Sequence, residues 1–262
     1  MASKKNQYTE LIDILQEVNE KDVIPVYVPS LQRNVDFKPI TVQQQKGIIS
    51  TSLESSLNTM AFNIITNDLI KECCLEDNIT IHTFDKPSIL VSLRGYMLGY
   101  NIVGQNQTGE DVEVNIEDHC KKFSTHKLPK TLLNSKTIKH GDIQINFKPP
   151  LLDVDSAVNK KARGVIDKLL KDRDISNSIG EVIVYELVKY ISGISINGKV
   201  LEFDYKDTLQ LAKVVEQLPL KVSKLIITEV EKIKKYEDKF GSIQVGKEKV
   251  TIVVDARFFN GE

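Results

Sequence analysis

The sequence predicts an α+β fold, mostly helical with several β-hairpins, on three observations. Apolar residues recur at helical spacing over residues 57–69, 158–170 and 222–233. Short stretches that alternate apolar and polar residues flank turn-forming clusters near the N-terminus, in the centre and at the C-terminus. And with 262 residues, 41% of them hydrophobic and 27% charged, the chain is long enough and apolar enough to bury a substantial core.

Residues 4–20 read as a surface helix, with Leu11, Ile12, Leu15 and Val18 on one stripe among many charges. In VYVPSLQRNVDFKPIT, residues 26–41, Val26 and Val28 alternate with their neighbours. Val35 and Phe37 do the same after a break at Pro29–Asn34, giving the period-two pattern of a half-buried hairpin. Asp36 and Arg33 are its only charged members before Lys38 and belong to a solvated face, so the stretch reads as scaffold. Thr41 can cap a helix carrying Val42, Ile48, Ile49 and Leu53. Leu57, Met60, Ala61, Ile64, Ile65 and Leu69 form the face of the next. Asp85 and Pro87 open another, SILVSLRGYML, ending near Gly99.

From Tyr100 to Pro150 polar turns separate NIV from VEVNIE and SKTIK from IQINF, predicting two hairpins or one small sheet. Helices return after Pro150. One carries Val158, Ala162, Val165, Ile166, Leu169 and Leu170; a second carries Val182, Ile183, Leu187, Tyr190 and Ile191. Asn197 and Gly198 punctuate, Asp207 is placed to cap a short helix through Leu218, and Pro219 begins a helix with Val222, Leu225, Ile226, Val230 and Ile233 inward. GSIQVGKEKVTIVVDARFF closes the chain as a hairpin turning at Gly246. The organisation expected is an N-terminal helix (1–22), a hairpin plus helical region (23–99), a small β region (100–150) and a helical region ending in a β-hairpin (151–262).

Composition excludes several classes of function. Thirty-five basic residues balance 36 acidic ones, so no global field draws nucleic acid or an anionic membrane. No run of eighteen apolar residues could span a bilayer, and MASKKNQYTEL has no apolar stretch after its lysines, so neither a membrane span nor a secretory signal is expected. Three cysteines, with Cys73 and Cys74 adjacent, make no disulfide framework and suit a reducing compartment.

Chemical motifs are sparse. Gly241, Gly246 and Lys247 sit at the spacing of a phosphate-binding loop, but Glu248 stands where a hydroxyl must hold magnesium, and strand rather than helix follows. His119, Cys120 and His126, with Cys73 or Cys74, lack the spacings by which one turn presents zinc ligands tetrahedrally. No G-x-S-x-G elbow occurs, and the four histidines, His82, His119, His126 and His140, lie in polar, turn-like stretches. The pairs Glu110 with Asp111 and Glu117 with Asp118 flank hairpin strands as ordinary turn-side charges.

Taken together, several segments resemble the baseplate hub proteins of T-even-like contractile-tailed phages, a family with a structural hub subunit and a related hub assembly factor. The resemblance rests on Pro29, Ser30 and Leu31, then Val35, Phe37, Lys38 and Pro39 and the helix beginning at Thr41 and Val42. It rests also on Phe84, Asp85 and the run Ile89–Gly99; on Thr208, Gln210, Glu216, Leu218 and Pro219; and on the closing Phe258 and Phe259. It covers about residue 23 to the C-terminus. Some members carry cysteine pairs resembling a small zinc site in a central or terminal hairpin; here residues 240–254 contain no cysteine, so no metal site is carried over.

The resemblance implies a non-enzymatic structural component of a phage tail baseplate, without cofactors, placed in the central hub of the virion and assembled in the host cytoplasm. Other hub and tail proteins would be its partners in a multi-copy symmetric assembly, with neither nucleic acid nor membrane. An assembly factor absent from the mature particle is the alternative, and an uncharacterised metal-binding protein or enzyme using residues 119–126 a remote one. Function would lie in contact surfaces, which bury apolar and aromatic anchors inside a polar rim. Leu11, Ile12 and Leu15 are one candidate interface. Phe258 and Phe259 are another, unless the terminal strand docks back and places them in the core.

Overall fold

The computed structural model describes residues 4–54 and 59–260. An isolated-looking helix α1 (Lys4–Lys21) leads into a hairpin, β1 (Ile24–Val28) and β2 (Arg33–Phe37), in which Val26 stands opposite Val35. Val26, Val28, Val35 and Phe37 are fully buried, so the alternating pattern does face a core. The hairpin is followed by α2 (Val42–Glu54), α3 (Thr59–Cys73) and, after a 3-10 turn at Thr83–Asp85, α4 (Lys86–Leu98). Thr41 and Gln44 cap α2 reciprocally: the Thr41 Oγ1 accepts from the Gln44 N–H at 3.3 Å and the Gln44 Oε1 from the Thr41 N–H at 2.9 Å. Of the expected apolar positions, Val42 is 66% exposed, Leu57 lies outside the described residues, and nothing is described of the Leu53 side chain.

Asp85 joins the hairpin to α4. One carboxylate oxygen accepts from the backbone N–H of Ser30 and the other from that of His82, each at 2.8 Å, and the group is completely buried. Ser88 adds a hydroxyl bond to the Tyr27 carbonyl at 2.7 Å. VYVPSLQRNVDFKPIT is therefore a structural unit, fixed by a carboxylate more than fifty residues downstream.

The next strands, β3 (Asn101–Gln105) and β4 (Asp111–Asn115), pair as expected. They are followed by two short helices, α5 (Glu117–Lys121) and α6 (Lys130–Leu133), which are too short to show a period in sequence. A second hairpin is β5 (Lys136–His140) with β6 (Ile143–Phe147). The two central hairpins belong to separate sheets. In the last third come α7 (Leu152–Lys171), α8 (Ile175–Val188), β7 (Ile191–Ile196), β8 (Lys199–Glu202), α9 (Thr208–Glu216), α10 (Leu220–Gly241), β9 (Ser242–Val245), β10 (Glu248–Ile252) and α11 (Ala256–Asn260). One antiparallel sheet has the order β4-β3-β10-β9 and the other β5-β6-β7-β8, so each central hairpin is completed by a hairpin from the C-terminal third.

The β7–β8 hairpin corrects the sequence expectation. Tyr190 and Ile191 do not continue a helical stripe: Ile191 begins β7, and Asn197 and Gly198, at φ of 50° and 79°, form a two-residue hairpin turn with both residues left-handed. With Tyr190 and Ile191 removed from the helix, the buried face of α8 rotates. Ser178, Tyr185, Leu187 and Val188 point inward, whereas Val182 and Ile183 are exposed. On α10, Val222, Ile226, Val230 and Ile233 are buried as expected and the stripe continues through Tyr236 and Phe240, while Leu225 lies 42% exposed at its edge. Asp207 precedes α9 but its side chain caps nothing; Asp204 instead accepts from the Lys206 N–H at 3.0 Å and starts a 3-10 turn.

Gly104 is where the first half of the chain meets the last hairpin. A Cβ built there would lie 2.8 Å from the Thr251 carbonyl oxygen and 2.6 Å from Val250 Cγ1. Gly104→Ala is expected to force β3 away from β10 and cost about 1–3 kcal/mol, the range for overpacking, measurable by urea denaturation. Retention of wild-type stability would show that β10 moves freely.

A buried ion pair ties α7 to the end of α8. The Lys189 ammonium lies 2.8 Å from Asp155 and 2.8 Å from Glu186, and the first two side chains are almost completely enclosed. Asn67 on α3 donates to the same Asp155 carboxylate at 2.7 Å. Burial alone would raise the Asp155 pKa, but Lys189 and Lys86 outweigh it and hold the carboxyl below its ordinary value. Burial likewise opposes the charge on Lys189, and Glu186 and Asp155 reverse that to raise its pKa.

Candidate interaction surface

The most unusual surface belongs to α1. Tyr8, Leu11, Ile12, Leu15 and Val18 fall at i, i+3, i+4, i+7 and i+10, one face of a helix, and all are more than half exposed, as is Ile14 beside them. Burying side chains of this size is worth roughly 1.5–3 kcal/mol each, so the stripe carries a large unused driving force for association. The C-terminal end of α1 is tied to the body: Asn19 donates to the Pro39 carbonyl at 3.2 Å, Glu20 lies 3.9 Å from the Lys38 ammonium, and Tyr96 reaches Asp22 at 3.3 Å.

Ile12 and Leu15 form one wall of a groove of about 950 Å³ whose other wall is α2 and α3. Val42, exposed at the N-terminus of α2, and the half-buried Ile65 of α3 contribute apolar surface there. The floor is narrow because Gly47 brings α2 close to α3; a Cβ on it would lie 3.3 Å from Ile65 Cδ1. A smaller hollow of about 440 Å³ opens on the other side of Val42, between Asp22, Tyr96 and Phe259. The sequence signalled the α1 stripe, but Val42 and Ile65 looked like ordinary core positions.

Phe258 and Phe259 behave differently from Leu11, Ile12 and Leu15. The chain does dock back after β10: Asp255 Oδ1 accepts from the N–H groups of Arg257 and Phe258 at 2.9 and 3.2 Å, turning the end into α11. Both rings are then enclosed, 3% and 1% exposed, and meet edge to face with centroids 5.1 Å apart. The buried Arg94 guanidinium holds the Phe258 carbonyl at 3.1 Å, and Gln45 holds that of Phe259 at 2.5 Å. In this conformation the two rings are core residues.

Three of the four histidines weighed for chemistry are occupied with packing. His119 and His126 meet Phe123 and Phe240 edge to face, and the His119 Nε2 lies 3.1 Å from the Phe240 carbonyl. Burial lowers the pKa of both, and also that of His82, which, contrary to its polar-looking context, is buried and stacked on Phe84. Burial pushes the thiols the other way, Cys73 up to about 12 and Cys120 up to about 11, so neither offers a thiolate near neutral pH. Among the described residues no group of three or more His, Cys, Asp or Glu is placed to hold a metal ion. Asp111 pairs with Arg257 at 2.6 Å, Glu117 with Lys121 at 2.7 Å, and Gly246 is the tip of the β9–β10 hairpin.

What the described surface offers is apolar contact area on a helix tied at its C-terminal end to a well-buried body. The chain belongs to the T4 bacteriophage base plate protein family, whose model matches residues 21–260. It is therefore a phage baseplate protein, and the resemblance carried by Pro29–Val42, Phe84–Gly99 and Thr208–Pro219 is borne out at the level of the family. The match begins at the last residue of α1, leaving Leu11, Ile12 and Leu15 outside it. Comparison with curated proteins and with solved structures returned no match. Among the described residues no helix is long and apolar enough to cross a membrane.

Proposed function

We propose that the chain is a non-enzymatic structural subunit of the central baseplate hub, acting without cofactors and joined to neighbouring hub or tail proteins through α1. The exposed stripe of Leu11, Ile12 and Leu15 carries this reading. A helix paired with water on its apolar face gains stability by docking, and the family to which the body belongs supplies other baseplate proteins as the surroundings. Phe258 and Phe259 are left out of the contact, because exposing them would undo α11 and its bonds to Arg94 and Gln45.

Quantitative mass spectrometry of purified virions tests this, with peptides measured against a tail component of known copy number. The wild-type chain is expected at a fixed small integer ratio. A variant with Leu11→Asp, Ile12→Asp and Leu15→Asp is expected to unfold like wild type, since all three side chains are exposed, yet to fall at least about tenfold in virions, the equivalent of 1.4 kcal/mol of lost contact energy. A chain abundant in infected cells and missing from particles would instead be an assembly factor; undiminished incorporation of the variant would remove α1 from the interface.

A further inference from the structure

The groove between α1 and the α2–α3 pair is apolar along its walls and acidic along its rim. The ionised groups lining it are Glu20, Asp68 and Glu72 against a single cation, Lys38. Lys38 already lies 3.9 Å from Glu20. Lys160 approaches Asp68 at 3.9 Å from outside the groove, and the Glu72 carboxylate is held by a neutral donor, Gln44, at 2.8 Å. Asp68 and Glu72 occupy successive turns of α3, so their carboxylates form a short negative track parallel to the apolar wall. The chain as a whole is nearly neutral, so this polarity is local.

That charge selects among occupants. A second copy of α1 has a suitable apolar stripe, but its lysines stand only at its ends, at positions 4, 5 and 21, and Glu10, Asp13, Glu17 and Glu20 lie on the face away from the stripe, so it brings no row of cations alongside to meet Asp68 and Glu72. We propose that the groove seats an amphipathic helix of a neighbouring protein whose apolar face is flanked by lysine or arginine. Such a helix lays residues at i, i+3, i+4 and i+7 between Ile12 and Leu15 on one side and Val42 and Ile65 on the other, while its cations meet Asp68 and Glu72. Gly47 adds no side chain of its own to the α2–α3 floor, which leaves Ile65 to form the apolar surface there. Like-charge contacts exclude the acidic alternative, so the rim supplies specificity and the walls supply affinity.

This inference rests on α1 being a contact face and adds the chemistry of what it contacts. The probe is a fluorescein-labelled 16-residue helical peptide with leucines at i, i+3, i+4 and i+7 and lysines flanking them, titrated against the full chain by anisotropy at low and moderate salt. A peptide with glutamate in place of every lysine is the control. The lysine peptide is expected to bind and to weaken with salt. It should bind at least tenfold more weakly to a variant carrying Asp68→Lys and Glu72→Lys, and severalfold more weakly to the milder Asp68→Asn, Glu72→Gln variant, which keeps a group able to accept from Gln44. The glutamate peptide should not bind. Equal binding of both peptides, no binding of either, or insensitivity to the α3 variants overturns the proposal, as does sedimentation showing a dimer of the chain that Val42→Asp abolishes. The α3 variants leave Leu11, Ile12 and Leu15 intact. A failure here alongside loss of the α1 variant from virions would reject the basic helix while keeping α1 as an interface.

Discussion

Lys189→Met is expected to lower the free energy of unfolding by about 3–5 kcal/mol, the cost of leaving one member of an enclosed ion pair without its partner. The ammonium lies 2.8 Å from Asp155, whose carboxylate also takes the amide of Asn67, and both charged side chains are about 5% exposed. Methionine matches the length of the lysine stem, so packing is largely kept and the loss is electrostatic. Replacing Asp155 in addition, by Asn, should cost less than the sum of the two single changes, because the stranded charge is gone. Urea denaturation of the four proteins in the cycle measures this. Purely additive losses would show that the two groups act independently. The pH dependence has a definite sign: Asp155 is held below its ordinary value in the folded chain, so its contribution is complete above the unfolded carboxyl range and is lost as pH falls through the lower folded value.

Asp85→Ala is expected to cost about 2–6 kcal/mol, from roughly 1–3 kcal/mol for each of two buried donors left without an acceptor. The donors are the backbone N–H groups of Ser30 and His82, and their hydrogen exchange should accelerate more than that of the β1–β2 ladder. Burial pushes the Asp85 carboxyl up to about 7 from an ordinary value of 3.8. The folded chain therefore binds a proton that the unfolded chain has released, and this group's stabilisation is present at low pH and declines as pH rises from about 4 to 7, with a slope of at most about 1.4 kcal/mol per pH unit. Asp85→Asn, which cannot titrate, should lack that slope, so its deficit relative to wild type should narrow over the same interval. A constant deficit would mean the carboxylate is ionised throughout.

Local patterns in the sequence carried the elements whose causes are local. Val26, Val28, Val35 and Phe37 announce a hairpin because a strand alternates its faces, and Thr41 announces a helix start because the cap lies within one turn. The β7–β8 hairpin was just as local, with Asn197 and Gly198 at its turn, but the apolar run through Leu187, Tyr190 and Ile191 extends a helical period across the boundary and masks it. Pairing between hairpins was not legible, since nothing in residues 101–115 names residues 248–252 as neighbours.

The candidate surface divides the same way. The stripe of α1 is visible in sequence, but its exposure is not, because an amphipathic helix has the same pattern whether it packs on its own body or waits for another. Phe258 and Phe259 could be anchors or core until Arg94 and Gln45 were found beneath α11, 164 and 214 positions away. Asp68 and Glu72 carry no signal in the sequence that sets them apart, because the groove they border is formed by α1 and α2 across the fold.

The joining of β3 to β10, and of α2 and α4 to α11, sets a timetable for the molecule's making. Because synthesis runs from the N-terminus, β3 leaves the ribosome with one edge open, and the pocket awaiting Phe258 and Phe259 stays unfilled until that distant segment follows. The front half of the chain thus has no finished form of its own. A product interrupted before residue 248 would expose both the bare edge of β3 and an apolar cleft, features that proteases and chaperones recognise in nascent chains. The open sheet edge and the apolar cleft are thus both closed by one late segment, residues 248–259.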